Sequence, residues 1–283
     1  MRTVALTAVL AFLLATPASA DWVKLDDFEG DLTNWTTSVV DHTGAYQGAF
    51  VGGIVADPDG GSNNVLFVGD PSDISDVRSN NAYISLGSNT IATTATGTIF
   101  GRMRSGSDDL ADTDGHFGAS WDTTPSVWGD YSAYMSLRGT QTPPDDWAVH
   151  DGGYESTDQQ PASETWINFW IVVDNPSDEY HVYYNTTYGD DAVAGDQMTH
   201  TTTDDNFTFR AGTGATAMET LLIRGSAATE EGFYMDDLYI DSSSQNLGNP
   251  LGGSSGVPEP GTLLLLGTGA LGLIGYVRRK RMG

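Results

Sequence analysis

The stretch Thr165-Trp166-Ile167-Asn168-Phe169-Trp170-Ile171-Val172-Val173-Asp174, followed by Asn175-Pro176-Ser177-Asp178 and then Glu179-Tyr180-His181-Val182-Tyr183-Tyr184-Asn185, decides the fold class. Ile167, Phe169, Ile171 and Val173 fall on one side of a period of two, and Trp166, Asn168, Trp170 and Val172 on the other. Successive side chains of a strand point to opposite faces, so one face is wholly apolar and the other mixed, the pattern of a central strand. The Asn-Pro-Ser-Asp cluster is turn chemistry, and Tyr180, Val182 and Tyr184 resume the alternation behind it. These pieces predict a β-hairpin.

Shorter runs with the same period flank it at 22–28, 46–54, 65–68, 82–86, 97–104, 116–121, 131–138, 148–150, 207–210, 221–224 and 233–240, separated by Gly, Asp, Asn, Ser and Pro. No amphipathic helix longer than two turns and no fixed repeat interrupts them. The spacing predicts one all-β domain over 21–241, a two-sheet antiparallel β-sandwich. Residues 242–256 are rich in Ser, Gly and Asn without apolar period, and predict a flexible linker.

Both ends carry targeting patterns. Arg2, the apolar run 4–14 and Ala18-Ser19-Ala20 predict a signal peptide over 1–20, cut between Ala20 and Asp21, because the run is too short to span a bilayer. At the other end stand Pro258-Glu259-Pro260, an apolar stretch 261–277 and the basic cluster Arg278, Arg279, Lys280 and Arg281. The stretch is long enough to span a thin membrane, and the basic cluster holds that end on the cytoplasmic side. Together they predict passage through the secretion translocon, a transient inner-membrane anchor, and a body outside the membrane.

Residues 257–283 resemble the PEP-CTERM sorting signal of Gram-negative bacteria, in which the three parts occur in this order. The resemblance implies processing by an exosortase, a membrane cysteine protease that cuts near the Pro-Glu-Pro. It further implies delivery to the cell surface or an extracellular matrix, in the company of exopolysaccharide.

Composition narrows the rest. Residues 21–257 hold 37 acidic side chains against seven basic ones, so a phosphate backbone would be repelled and nucleic acid binding is excluded. Thirty of the 38 acids are Asp, which favours turns and loops over helices. With no Cys, disulfides, thiolate metal sites and Cys nucleophiles are excluded, and stability must come from a core.

Three segments give a second resemblance: Asp26-Asp27-Phe28-Glu29-Gly30 near the start, 166–185 in the middle, and Phe233-Tyr234-Met235-Asp236-Asp237-Leu238-Tyr239-Ile240-Asp241 at the end. In order and placement they look like concanavalin A-like lectin/glucanase jelly rolls. That family's first and last strands lie together, which would gather Asp27, Glu29, Asp236 and Asp237; a structural Ca²⁺ is expected there, since calcium takes six to eight oxygen ligands.

Sugar binding calls for aromatic faces beside hydrogen-bonding groups. Trp121, Trp128, Tyr131 and Trp147 cluster in Gly-, Pro- and Asp-rich sequence, and Arg102 and Arg104 share one strand face. A polysaccharide lying across these residues is the expectation, with burial of the aromatics as its alternative. The glucanase pattern Glu-x-Asp-x-Glu, the Gly-x-Ser-x-Gly elbow and His-Glu-x-x-His are all absent. No catalytic residue is assigned, apart from the bare pairing of His181 with Tyr183 that a lyase would need. The reading is a noncatalytic surface or matrix protein with carbohydrate binding; a purely structural matrix role and a polysaccharide hydrolase or lyase are the alternatives.

Overall fold

The computed structural model describes residues 22–41, 43–69, 78–106, 114–138, 146–151, 153–157, 159, 162–199, 205–212, 216–226 and 232–252. The expected signal peptide with its Ala20/Asp21 junction, and the whole of 257–283 including Pro258, Glu259, Pro260, Arg278, Arg279, Lys280 and Arg281, lie outside the described residues. Among the described residues no helix is long and apolar enough to cross a membrane.

The chain runs through β1 (Val23–Asp26), β2 (Thr36–Asp41), β3 (Tyr46–Gly48), β4 (Gly52–Ala56), β5 (Asn64–Val68), β6 (Arg78–Ser85), β7 (Thr96–Ser105) and β8 (Asp114–Ser120). It continues with β9 (Ala133–Arg138), β10 (Asp146–His150), β11 (Tyr154–Ser156), β12 (Ile167–Asp174), β13 (Glu179–Asn185), β14 (Phe207–Thr208), β15 (Thr220–Ser226) and β16 (Phe233–Asp241). One sheet has the order β14-β13-β12-β7-β16-β5-β4, with β1 also on β16; the other has the order β11-β10-β9-β8-β15-β6-β2-β3. Every pairing is antiparallel. This is the two-sheet sandwich expected from the alternation.

The hairpin that opened the sequence is β12–β13, in the register Phe169↔Tyr184, Ile171↔Val182 and Val173↔Tyr180. Its turn closes through a single 3₁₀ turn, and Asp178 takes the left-handed conformation at φ 59°. The buried Asn175 amide donates to the carbonyls of Ile91 and Ala92, fastening the turn to the start of β7. The apolar face of β12 meets the second sheet: Phe169 lies 4.8 Å, ring to ring, from Phe117 of β8. Ile171, Val173, Met135, Leu137, Leu221 and Ile223 extend that core.

Four elements differ from the sequence expectation. The run 46–54 is two strands in different sheets, β3 beside β2 and β4 beside β5. The break covers 49–51, and β4 opens at Gly52, whose φ of 130° and approach to the Phe67 carbonyl leave no room for a Cβ. β2 and β11 were not expected, the first because Thr36, Thr37 and Ser38 dilute its alternation.

Residues 242–252, expected to open a flexible linker, pack on the outer face of the first sheet. There Leu247 and Leu251 join Phe100, Trp170, Val172, Tyr183 and Trp22. The indoles of Trp22 and Trp170 both donate to the Gly248 carbonyl at 3.2 Å. Asn246 Nδ2 reaches Asp241, and the Asn249 backbone N–H donates to Asp191. Polar residues predict exposure only when nothing local accepts their hydrogen bonds; here Asn and Ser side chains satisfy the strap's own turns.

Replacing Phe169 with Ala removes a fully buried ring from between the sheets and should cost about 3–5 kcal/mol of unfolding free energy. Denaturant titration checks this, with an unchanged m-value expected alongside the lowered midpoint.

Candidate functional site

The four expected calcium ligands are only partly brought together. β1 does pair with β16, Val23 facing Ile240 and Lys24 facing Tyr239. On β16, Phe233 and Met235 point into the core, then Leu238 and Ile240 do, so Asp236 and Asp237 occupy a bulge that shifts the alternation by one residue. Asp237 has φ 54° there, in the left-handed region.

Each acid has its own partner. Arg102 Nη1 of β7 lies 3.2 Å from Asp237 Oδ2 and 3.6 Å from Asp236 Oδ2, and Asn63 donates to Asp236 at 2.9 Å. Asp27 pairs with Lys24, and Glu29 accepts from the backbone and side-chain amides of Asn64. Among the described residues no three acidic or His side chains form a metal-sized group. A guanidinium stands where the sequence led us to expect calcium.

That pairing also removes Arg102 from the expected sugar face. Its guanidinium sits between the rings of Trp166 at 4.7 Å and Tyr188 at 5.0 Å. Arg104 reaches Asp59 at 3.4 Å and Glu164 at 3.8 Å, over the Tyr234 ring. Both arginines belong to the first sheet.

The aromatics divide likewise. Trp147 is fully buried in the inter-sheet core, and Tyr131 is fully buried under the second sheet's outer face, its hydroxyl donating to the carbonyls of His116 and Leu222. Neither can stack on a sugar. Trp128 opens a 3₁₀ turn, Trp128–Asp130, and its side chain lies outside the described residues. Trp121 alone of the described candidates is exposed, at 40 %.

Trp121 lines a cleft of ≈ 460 Å³ with Thr93, Asp122, Thr123, Thr216, Ala217 and Glu219. The cleft follows from strand pairing. Ser120 faces Thr220 at the last rung of β8–β15, and the Glu219 N–H donates to the Ser120 carbonyl just beyond it. Trp121 and Glu219 therefore leave adjacent strand ends toward the same space. The bridge between Ile91 and Met218 brings in the segment carrying Thr93.

Gly212, at φ 78°, lies against the indole edge; a Cβ there would be 2.8 Å from Trp121 Cδ1. Asp122 Oδ1 accepts from the Thr124 N–H, and its carbonyl accepts from Thr220 Oγ1, which fixes the loop. An indole face, three threonines and two carboxylates make a shallow site for a polyhydroxylated ligand. Asp122 and Glu219 were not singled out from sequence. Their signal was slight: an acid adjoining the tryptophan, and one of only eight glutamates opening a strand.

A second polar group was also missed. Asn81, Arg224, His116 and Ser136 form one row across β6, β15, β8 and β9. All are buried. His116 Nε2 lies 2.9 Å from Asp114 Oδ1, Arg224 donates to Ser79, and Asn81 donates to the Ser126 carbonyl. Burial, the largest effect, lowers Arg224 below the usual arginine range, opposed by Tyr131, Asp114 and Asp130. The row is a buried polar interior. His181, by contrast, is held by the Asp205 carbonyl and Gln197 on β13, while Tyr183 packs under the 242–252 strap, where Gln245 approaches its hydroxyl.

Residues 256–281 match the PEP-CTERM protein-sorting motif. No curated protein matches the chain. Among solved structures, a sialidase superposes with TM-score 0.50 and 12 % identity over 80 % of this chain, which spans 19 % of the sialidase's length. The potassium-bound carbohydrate recognition domain of Emp46p superposes with TM-score 0.47 and 11 % identity, covering 80 % of this chain and all (100 %) of that one. Peanut lectin with a nine-residue peptide gives 0.48 and 7 %, over 78 % of this chain and 96 % of the lectin. The chain thus carries a PEP-CTERM sorting motif behind an all-β body whose structural neighbours are lectin-like jelly rolls.

The bulge carries a pH signature. Burial, reinforced by the adjacent Asp237 charge, raises Asp236 from 3.8 to about 7. The folded state then holds that proton more tightly than the unfolded chain. The group's contribution is fully present below about pH 4 and is lost as pH rises through about 7. Asp236→Asn should remove this slope, so the melting-temperature difference between pH 5 and pH 8 is expected to shrink relative to the parent; calorimetry at the two pH values checks it.

Proposed function

We propose that this chain is an exported, exosortase-sorted surface or matrix protein of a Gram-negative bacterium, whose β-sandwich binds carbohydrate without catalysis at the Trp121 cleft. The sorting motif implies export, exosortase processing and membrane-associated sorting to the surface. The proposal adds a transient inner-membrane anchor and an extracellular polysaccharide as partner. The observation that carries the binding reading is the exposed indole of Trp121 set among hydroxyls and carboxylates in one cleft. A pyranose presents an apolar C–H face that stacks on indole and an equatorial rim of hydroxyls that bond to threonine and carboxylate oxygens.

A hydrolase is the second reading, because Asp122 and Glu219 supply the two carboxyls a glycosidase needs. The hydrogen bonds that tie Asp122 into its own loop favour a shaping role over a catalytic one.

A glycan array probed with the full-length chain in detergent tests the proposal. Selective retention is expected, and Trp121→Ala should weaken it at least about tenfold, the size of one lost aromatic stacking contact. Retention indifferent to Trp121→Ala would reject the site. With Arg102 already balancing Asp236 and Asp237, EDTA should leave retention unchanged; loss in EDTA would reinstate calcium as cofactor. Release of reducing ends from a retained glycan would decide for the hydrolase.

A further inference from the structure

The charge of the cleft narrows the class of sugar. We infer that the Trp121 cleft selects polysaccharides bearing unsubstituted amino groups, that is, hexosamine residues with a free ammonium, over uronate or sulfated polymers. The inference deepens the carbohydrate-binding proposal and rests on it.

Among the described residues, every ionisable side chain lining the cleft, Asp122 and Glu219, is an acid, and no Lys, Arg or His lines it. Three of the described arginines are committed elsewhere. Arg102 is paired with Asp236 and Asp237, Arg104 with Asp59 and Glu164, and Arg224 is buried in the row beside Asn81 and His116. The chain as a whole carries −26 at neutral pH, so a polyanion approaches against the field both at long range and inside the cleft.

An ammonium meets the opposite situation at each scale. It is drawn to the acidic surface, it can donate three hydrogen bonds to carboxylate and hydroxyl oxygens, and it is attracted to the face of an indole. Glu219 and Trp121 stand side by side at the ends of β15 and β8, so one amino sugar can stack on the ring while its ammonium reaches the carboxylate. Acetylation removes the charge and two of the three N–H donors, leaving stacking, hydroxyl bonding and one amide N–H.

Three hexasaccharides distinguish the possibilities when titrated calorimetrically into the full-length chain at low and at physiological salt: β-1,4-linked glucosamine, its fully N-acetylated counterpart, and a hexauronate. The expected result is glucosamine bound at least about tenfold more tightly than the acetylated form, with no binding of the uronate. Asp122→Asn and Glu219→Gln should each erode that preference, and Trp121→Ala should abolish binding of both hexosamine forms. Asp122→Asn keeps the oxygen that caps Thr124, so it leaves the loop intact.

Equal affinity for the two hexosamine forms, still lost in Trp121→Ala, overturns the amino-sugar inference while the stacking site stands. Glucosamine binding unchanged in all three variants and abolished by salt shows diffuse attraction to the acidic surface and overturns it as well. Tighter binding of the uronate overturns it directly. Failure of all three probes on the calorimeter, together with a silent glycan array, removes the carbohydrate reading itself.

Discussion

The Arg102 guanidinium, set against buried Asp236 and partly exposed Asp237, marks the point of the first sheet where β16 changes partners. β16 pairs with β7 along one edge, and on the other edge β5 serves residues 233–235 and β1 serves 238–240. A regular strand could not change partners there while keeping its apolar residues inward. The bulge at Asp236–Asp237 inserts one residue, shifts the inward set from 233 and 235 to 238 and 240, and re-aims the edge. Its cost is an Asp236 side chain only 1 % exposed, and Arg102 with Asn63 repays part of that cost by charge and hydrogen bonding. Trp166 and Tyr188 then pack against Arg102, so the end of β12 and the loop after β13 are tied to the same point.

The readability of the sequence follows from how local each cause is. Alternation in 165–174 is local, and the expected hairpin of β12 with β13 is found there. The bulge was invisible for the opposite reason: Asp-Asp inside a strand is uninformative until Arg102, 134 residues upstream of Asp236, is known to face it. Arg102 and Arg104 share one strand face as expected, and the structure pairs them with Asp59, Glu164 and Asp236, all remote in sequence. The tryptophans divide in a way that local sequence does not reveal. Trp121 and Trp147 sit in comparable Gly-, Pro- and Asp-rich surroundings, and only the position relative to the sheets decides that Trp147 fills the core while Trp121 stands at a strand end.

The strap over the first sheet bears on how the chain is presented. Trp22 at the start and Gly248 near the end share a hydrogen bond over Trp170, so the two ends of the domain leave from one patch. Five residues lie between Gly252 and Pro258, and even fully extended they span no more than about 20 Å. The Trp121 cleft belongs to the other layer, at the ends of β8 and β15.

The proposed site lies within a strongly acidic surface and shares its sign of charge. Asp is concentrated in turns, where it caps the backbone, as Asp41, Asp57, Asp122, Asp130 and Asp241 all do by accepting nearby N–H groups. The charge is thus a by-product of turn-making in a chain without cysteine, and it sets the field in which any ligand must approach. Within that field a site needs few specialised residues. The end of a β-ladder supplies a rigid indole, the neighbouring strand supplies a carboxylate, and the turn acid supplies the second. In the proposed reading, selectivity comes from the background charge acting through a small, stiff cleft, with no dedicated cationic pocket required.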